Sequence, residues 1–80
     1  MAIDIAPLKN KDVVLSDYHW QILNKGPLFE QLRLAGIGGF GLYDNFIHVD
    51  SRAGGNQTDK LGTYALWDQR ITTKKKFQPQ

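Results

Sequence analysis

The sequence predicts an α+β fold, a small antiparallel sheet packed against two short helices. Three observations carry this: short segments alternate apolar and polar residues, two stretches carry helix-start signals, and glycine- and asparagine-rich punctuation separates them. Ala2 to Ile5 has the period-2 pattern of a half-buried strand, with Pro7 as its stop, and Lys9 to Asp12 reads as a charged loop. Ser16 stands as an N-cap with Asp17 in the first turn, where a carboxylate complements the helix dipole. A helix is therefore expected from there to about Asn24, stopped by Gly26. Pro27 suits the first turn of a second helix, whose apolar stripe of Leu28, Phe29, Leu32 and Ala35 ends at Gly36. Phe40 to Tyr43 and Phe46 to Asp50 read as strands joined by a turn at Asp44-Asn45. Ser51 to Gly62 is polar and reads as a surface loop, and Thr63 to Gln69 supplies Tyr64, Ala65, Leu66 and Trp67 to cover one end of the core.

Eighty residues make one domain, divided into residues 1–70 and a basic polar tail at 71–80. A core of this size seldom supplies more than roughly 3–5 kcal/mol unless something else staples it. The chain has no cysteine, which excludes a disulfide framework, thiol catalysis and a Cys-type zinc finger, so a metal or a partner chain is the expected support. The net charge of +2 is too slight to point to nucleic acid, and Lys74-Lys75-Lys76 reads as part of a solvated tail. Apolar runs fall far short of the roughly 20 residues that span a bilayer, and Met-Ala-Ile-Asp-Ile carries no basic n-region. No membrane span is expected. A strand opening at the first residue leads to the further expectation that a segment upstream of it has been left out.

Two motifs are better read as structure than as sites. Gly36-Ile37-Gly38-Gly39-Phe40-Gly41 satisfies G-x-G-x-x-G, but a nucleotide loop needs a strand before it and a helix after it. The order here is reversed, so the glycines are assigned to a tight helix-to-strand turn and to close backbone packing. Asn56-Gln57-Thr58 has the form of a glycosylation acceptor and is assigned to the polar loop.

The chemistry concentrates on the two strands with alternating faces. Ile3 and Ile5 point one way and Asp4 the other; Ile47 and Val49 likewise oppose Phe46, His48 and Asp50. If the strands share a sheet, Asp4, His48 and Asp50 converge on one face. Carboxylate oxygen and imidazole nitrogen suit zinc, whose catalytic sites commonly take three protein ligands and leave a fourth position for water. His19, the only other histidine, sits beside Tyr18 and Trp20 in the first helix and reads as a packing or surface residue.

The order of these residues resembles a known family. Ala2-Ile3-Asp4-Ile5 is similar to the end of the Ser-x-His-x-x-Gly-x-Ala-x-Asp motif of peptidase family M15, the zinc D-Ala-D-Ala carboxypeptidases and endolysin-type peptidases. Gly38 to Tyr43, followed by Phe46-Ile47-His48-Val49-Asp50-Ser51-Arg52, resembles that family's second motif, and Trp67 falls where an aromatic often follows it. The resemblance covers Ala2 to about Trp67. It implies the C-terminal half of the DD-carboxypeptidase (hedgehog-like) fold, so residues 1–70 would be a partial peptidase domain. It further implies Asp4 and His48 as zinc ligands, Asp50 as the catalytic general base or a support of the site, and Arg52 and Tyr43 as substrate-binding or cleft residues. The family's first histidine ligand lies seven residues before the aspartate, and only three residues precede Asp4. The implied Zn2+ site is therefore incomplete in this chain.

The function that the resemblance implies is that of a zinc peptidase acting on peptidoglycan stem peptides, in a cell wall, periplasm or phage, and incomplete or inactive as the isolated chain. A complementary chain or an N-terminal segment would supply the absent ligand. The alternative is a degenerate peptidase fold serving as a non-catalytic structural or binding module in a larger, viral or other, assembly.

Overall fold

The computed structural model describes residues 2–6 and 11–71, with the backbone alone described over 11–14. Five strands and two helices follow one another as β1 (Ala2–Ile5), α1 (Lys11–Leu23), α2 (Pro27–Leu34), β2 (Gly39–Leu42), β3 (Ile47–Asp50), β4 (Gln57–Asp59) and β5 (Gly62–Asp68). The sheet order is β1-β3-β2-β5-β4. The expected α+β class holds, but the sheet is mixed rather than antiparallel: β2 and β5 run parallel, while β1/β3, β2/β3 and β4/β5 are antiparallel.

The alternation read in the strands sorts the two faces as expected. Phe40, Leu42, Ile47, Val49 and Tyr64 are buried beneath Leu15 and Ile22 of α1 and Phe29 of α2. Phe29, Phe40 and Tyr64 form the aromatic centre, with ring centroids 4.9 to 5.9 Å apart. Ile5 packs against this core, but Ile3, on the strand that ends the sheet among the described residues, is 47% exposed.

The helices begin and end differently from expectation. α1 starts at Lys11, so Ser16 lies inside it rather than capping it, and Lys11 and Asp12 are helical rather than loop. Its end is formed by Lys25 at φ 55 in the left-handed region, with Gly26 N bonded to Gln21 O at 2.8 Å. Gly26 then serves as the N-cap of α2, and the Gln21 side chain accepts from Leu28 N at 3.2 Å. Pro27 opens α2 as expected, and Ala35 is its C-cap rather than part of its stripe. Gly36 at φ 99 closes it, with Ile37 N donating to Leu32 O and Gly36 N to Arg33 O, each at 3.0 Å.

The Ser51 to Gly62 segment holds a strand that its polar composition hid. β4 pairs with β5, and Arg33 of α2 reaches across to grip Asp59 in a two-point ion pair at 2.9 and 2.7 Å. Asn56 is used internally, its amide donating to Leu66 O at 3.1 Å and its carbonyl accepting from Leu66 N at 2.9 Å. No helix among the described residues is long and apolar enough to cross a membrane. Pro7, Lys9 and all of the tail except Ile71 lie outside the described residues.

Candidate functional site

The site is laid out as a row across four strands on the face away from the helices. In register, Asp4 of β1 stands beside His48 of β3, His48 beside Gly41 of β2, and Gly41 beside Trp67 of β5. A parallel row places Ala2, Asp50, Gly39 and Ala65 side by side. The glycines are required by what lies over them. A Cβ on Gly41 would stand 2.5 Å from the Trp67 ring, and one on Gly39 would stand 2.1 Å from Asp50 Oδ1. β2 thus forms a floor without side chains, over which Trp67 and the Asp50 carboxylate lie.

His48 is held from both sides. Its Nδ1 is 2.9 Å from Asp4 Oδ1, and its Nε2 is 2.8 Å from Asp50 Oδ2. The two carboxylates differ in setting. Asp50 is buried and accepts from the Arg52 guanidinium at 2.7 to 3.0 Å and from Arg52 N at 3.1 Å, whereas the Asp4 side chain is 61% exposed. The Arg52 guanidinium and the bond to His48 hold the Asp50 carboxyl far below the ordinary carboxylate range, against the opposing effect of burial. The bond to Asp50 raises the His48 pKa above its ordinary 6.5, opposed by burial and reinforced by Asp4.

Aromatic residues wall the row. Trp67 lies 5.6 Å from His48 between ring centroids, Arg52 sits 4.8 Å over the Trp67 ring, and Trp67 Nε1 donates to Tyr43 Oη at 2.8 Å. Tyr43 stacks on Phe46 at 4.5 Å. Arg52 is half exposed and borders a hollow of about 380 Å³ that lies against α2, lined by Arg33, Leu34, Gly36 and Leu61 among others and by none of Asp4, His48, Asp50 or Trp67.

His19 is sealed in the interior, as its packing assignment allowed. A carbonyl can only accept, so the 2.9 Å contact between His19 Nε2 and Tyr43 O places a proton on Nε2. Burial first, and the Arg70 charge second, lower its pKa and keep it neutral. Its link to Tyr43 was not visible in the sequence, since the two are 24 residues apart. Arg33, Asp59 and Arg70 also went unread; each is an arginine or aspartate whose burial or pairing depends on a distant element.

Zinc chemistry fits this donor set in kind and falls short in number. The 2.9 Å between Asp4 Oδ1 and His48 Nδ1 is that of a direct hydrogen bond, between two groups of the kind that zinc takes as ligands. Among the described residues, however, no group of three or more histidine, cysteine, aspartate or glutamate side chains is arranged to hold a metal ion. Comparison with protein-family models, curated proteins and solved structures finds no match to this chain.

Proposed function

We propose that this chain is the C-terminal half of a zinc peptidase of the M15 kind, acting on the short stem peptides of peptidoglycan. The observation that carries the reading is the chain of contacts Asp4, His48, Asp50, Arg52: one imidazole nitrogen faces an exposed carboxylate while the other is fixed by a buried one. Metal-binding histidines are oriented this way, the far ring nitrogen donating to a carboxylate that sets tautomer and direction. Asp4 and His48 Nδ1 would be two of three protein ligands, and the third would come from outside the described residues. Bound there, zinc would polarise the scissile carbonyl and acidify a water.

The chain's own groups divide the remaining work. Asp50 accepts the Nε2 proton of His48 and is itself gripped by Arg52, so it would orient the imidazole, with the general base as its other assigned role. Arg52, half exposed, would meet a substrate carboxylate, and Tyr43 accepts the hydrogen bond from the Trp67 indole that walls the row. The test is reconstitution. With a segment carrying Ser-x-His-x-x-Gly fused ahead of Met1, the protein should bind zinc and hydrolyse a stem peptide, and Asp4→Ala or His48→Ala should abolish both. A reconstituted protein with zinc bound and no hydrolysis would favour the second reading, a non-catalytic binding module, which the two-donor count supports.

A further inference from the structure

We propose that His19 is a positioning residue for the Trp67 wall, acting through the sheet by way of Tyr43. The linkage is geometric; its consequence for a substrate rests on the reading of the row as a peptidase cleft. His19 occupies a core position of α1. Leu15, His19 and Ile22 recur at helical spacing on the buried face of that helix, and His19 is the polar residue of the three, with none of its surface exposed. Burying an imidazole costs stability unless hydrogen bonds offset it. Its Nε2 proton goes to Tyr43 O at 2.9 Å, while Nδ1 meets no donor from the described residues. The polar anchor of the ring is therefore that one carbonyl.

Each polar group of Tyr43 is engaged. Its N–H donates to Phe46 O at 3.0 Å and closes the turn between β2 and β3, its carbonyl accepts from His19, and its hydroxyl accepts from Trp67 Nε1 at 2.8 Å. Its ring also stacks on Phe46. Continued alternation along β2 sends the Tyr43 side chain to the face of Gly39 and Gly41, opposite the helices. One residue thus holds the helix layer by its backbone and the site wall by its side chain. A shift of the carbonyl carries the phenol with it, and the phenol sets the indole that stands 5.6 Å from His48 and beneath Arg52. An apolar residue at position 19 would fill the core and leave the carbonyl unheld.

Hydrogen exchange at Trp67 Nε1, read in proton–nitrogen spectra of the full chain, tests the linkage, with Trp20→Phe as background so that one indole resonance remains. His19→Leu keeps the core filled and removes the donor. Exchange should quicken roughly two- to tenfold, the equivalent of one lost hydrogen bond. His19→Gln, whose amide N–H reaches about as far as Nε2, should restore slow exchange. In a Tyr43→Phe chain the indole already lacks its acceptor, so adding His19→Leu should change little. Ile22→Val loosens the same helix face without removing the donor and should leave the indole unchanged.

Unchanged exchange in His19→Leu, no recovery in His19→Gln, or an equal quickening in Ile22→Val would overturn the positioning role. Should His19→Leu not fold, His19→Asn, too short to reach Tyr43 O, takes its place with the same outcomes. In the protein reconstituted with the upstream motif, His19→Leu should raise KM for a stem peptide and leave zinc affinity unchanged. A matching loss of zinc affinity would assign His19 to the whole sheet rather than to the wall. No hydrolysis by the unsubstituted reconstituted protein would sink the peptidase reading, and the indole comparison would still decide the role of His19.

Discussion

At Gly41 the row depends on one missing methyl group. Gly41→Ala would drive a Cβ into the Trp67 ring, and the ring would have to leave its place against His48 and Arg52. The expected cost is about 1–3 kcal/mol in urea unfolding, the usual range for overpacking, together with loss of the Trp67 to Tyr43 hydrogen bond in proton spectra. At Asp50 the expected effect falls on the metal. In the protein reconstituted with the upstream motif, Asp50→Asn should weaken zinc by roughly 10–100-fold while the fold persists, which titration calorimetry would measure. An unchanged affinity would return Asp50 to the role of base. Asp4, His48 and Asp50 were legible in the sequence because strand alternation fixes their face; the Arg52 grip on Asp50 was not, since spacing says nothing of which partner a surface arginine takes.

Among the elements, the local ones were the readable ones. Pro27 opens α2 and the Asp44-Asn45 turn joins β2 to β3, as neighbouring residues alone dictate. β4 was hidden because Gln57-Thr58-Asp59 has no apolar alternation and owes its strand state to β5 and to Arg33. The parallel pairing of β2 with β5 is equally non-local. The Arg33 to Asp59 clasp gives the β4/β5 hairpin a pH signature. The Arg33 hydrogen bonds lower the Asp59 pKa from 3.8 to about 2, so the clasp contributes fully above 3.8 and is lost as pH falls through about 2. Amide resonances of Gln57 to Gly62 should report that loss, and Arg33→Ala should remove the transition and loosen the hairpin at neutral pH.

For the molecule as a whole, a small core leaves little reserve. Phe40, fully buried between Phe29 and Tyr64, is its centre, and Phe40→Ala should cost about 3–5 kcal/mol, comparable with the roughly 3–5 kcal/mol that a core of this size provides. That variant should be largely unfolded at room temperature by circular dichroism. If the proposed site takes zinc, bound metal should act the other way, raising stability by about 2.7 kcal/mol at a roughly hundredfold excess over its dissociation constant. A rise in Tm with zinc that disappears in His48→Gln would show this.

Trp67 has one more consequence, an optical one. Its indole lies 5.6 Å from the His48 ring, and the chain's other tryptophan, Trp20, is exposed on α1. Protonated imidazole quenches indole emission, so a Trp20→Phe chain would carry a single built-in lamp beside the histidine. Its brightness should fall as pH drops through the raised pKa of His48 and should stay flat in His48→Gln. The wall of the site then serves as the gauge of its charge, and any ligand that displaces the proton from His48 can be followed by light alone.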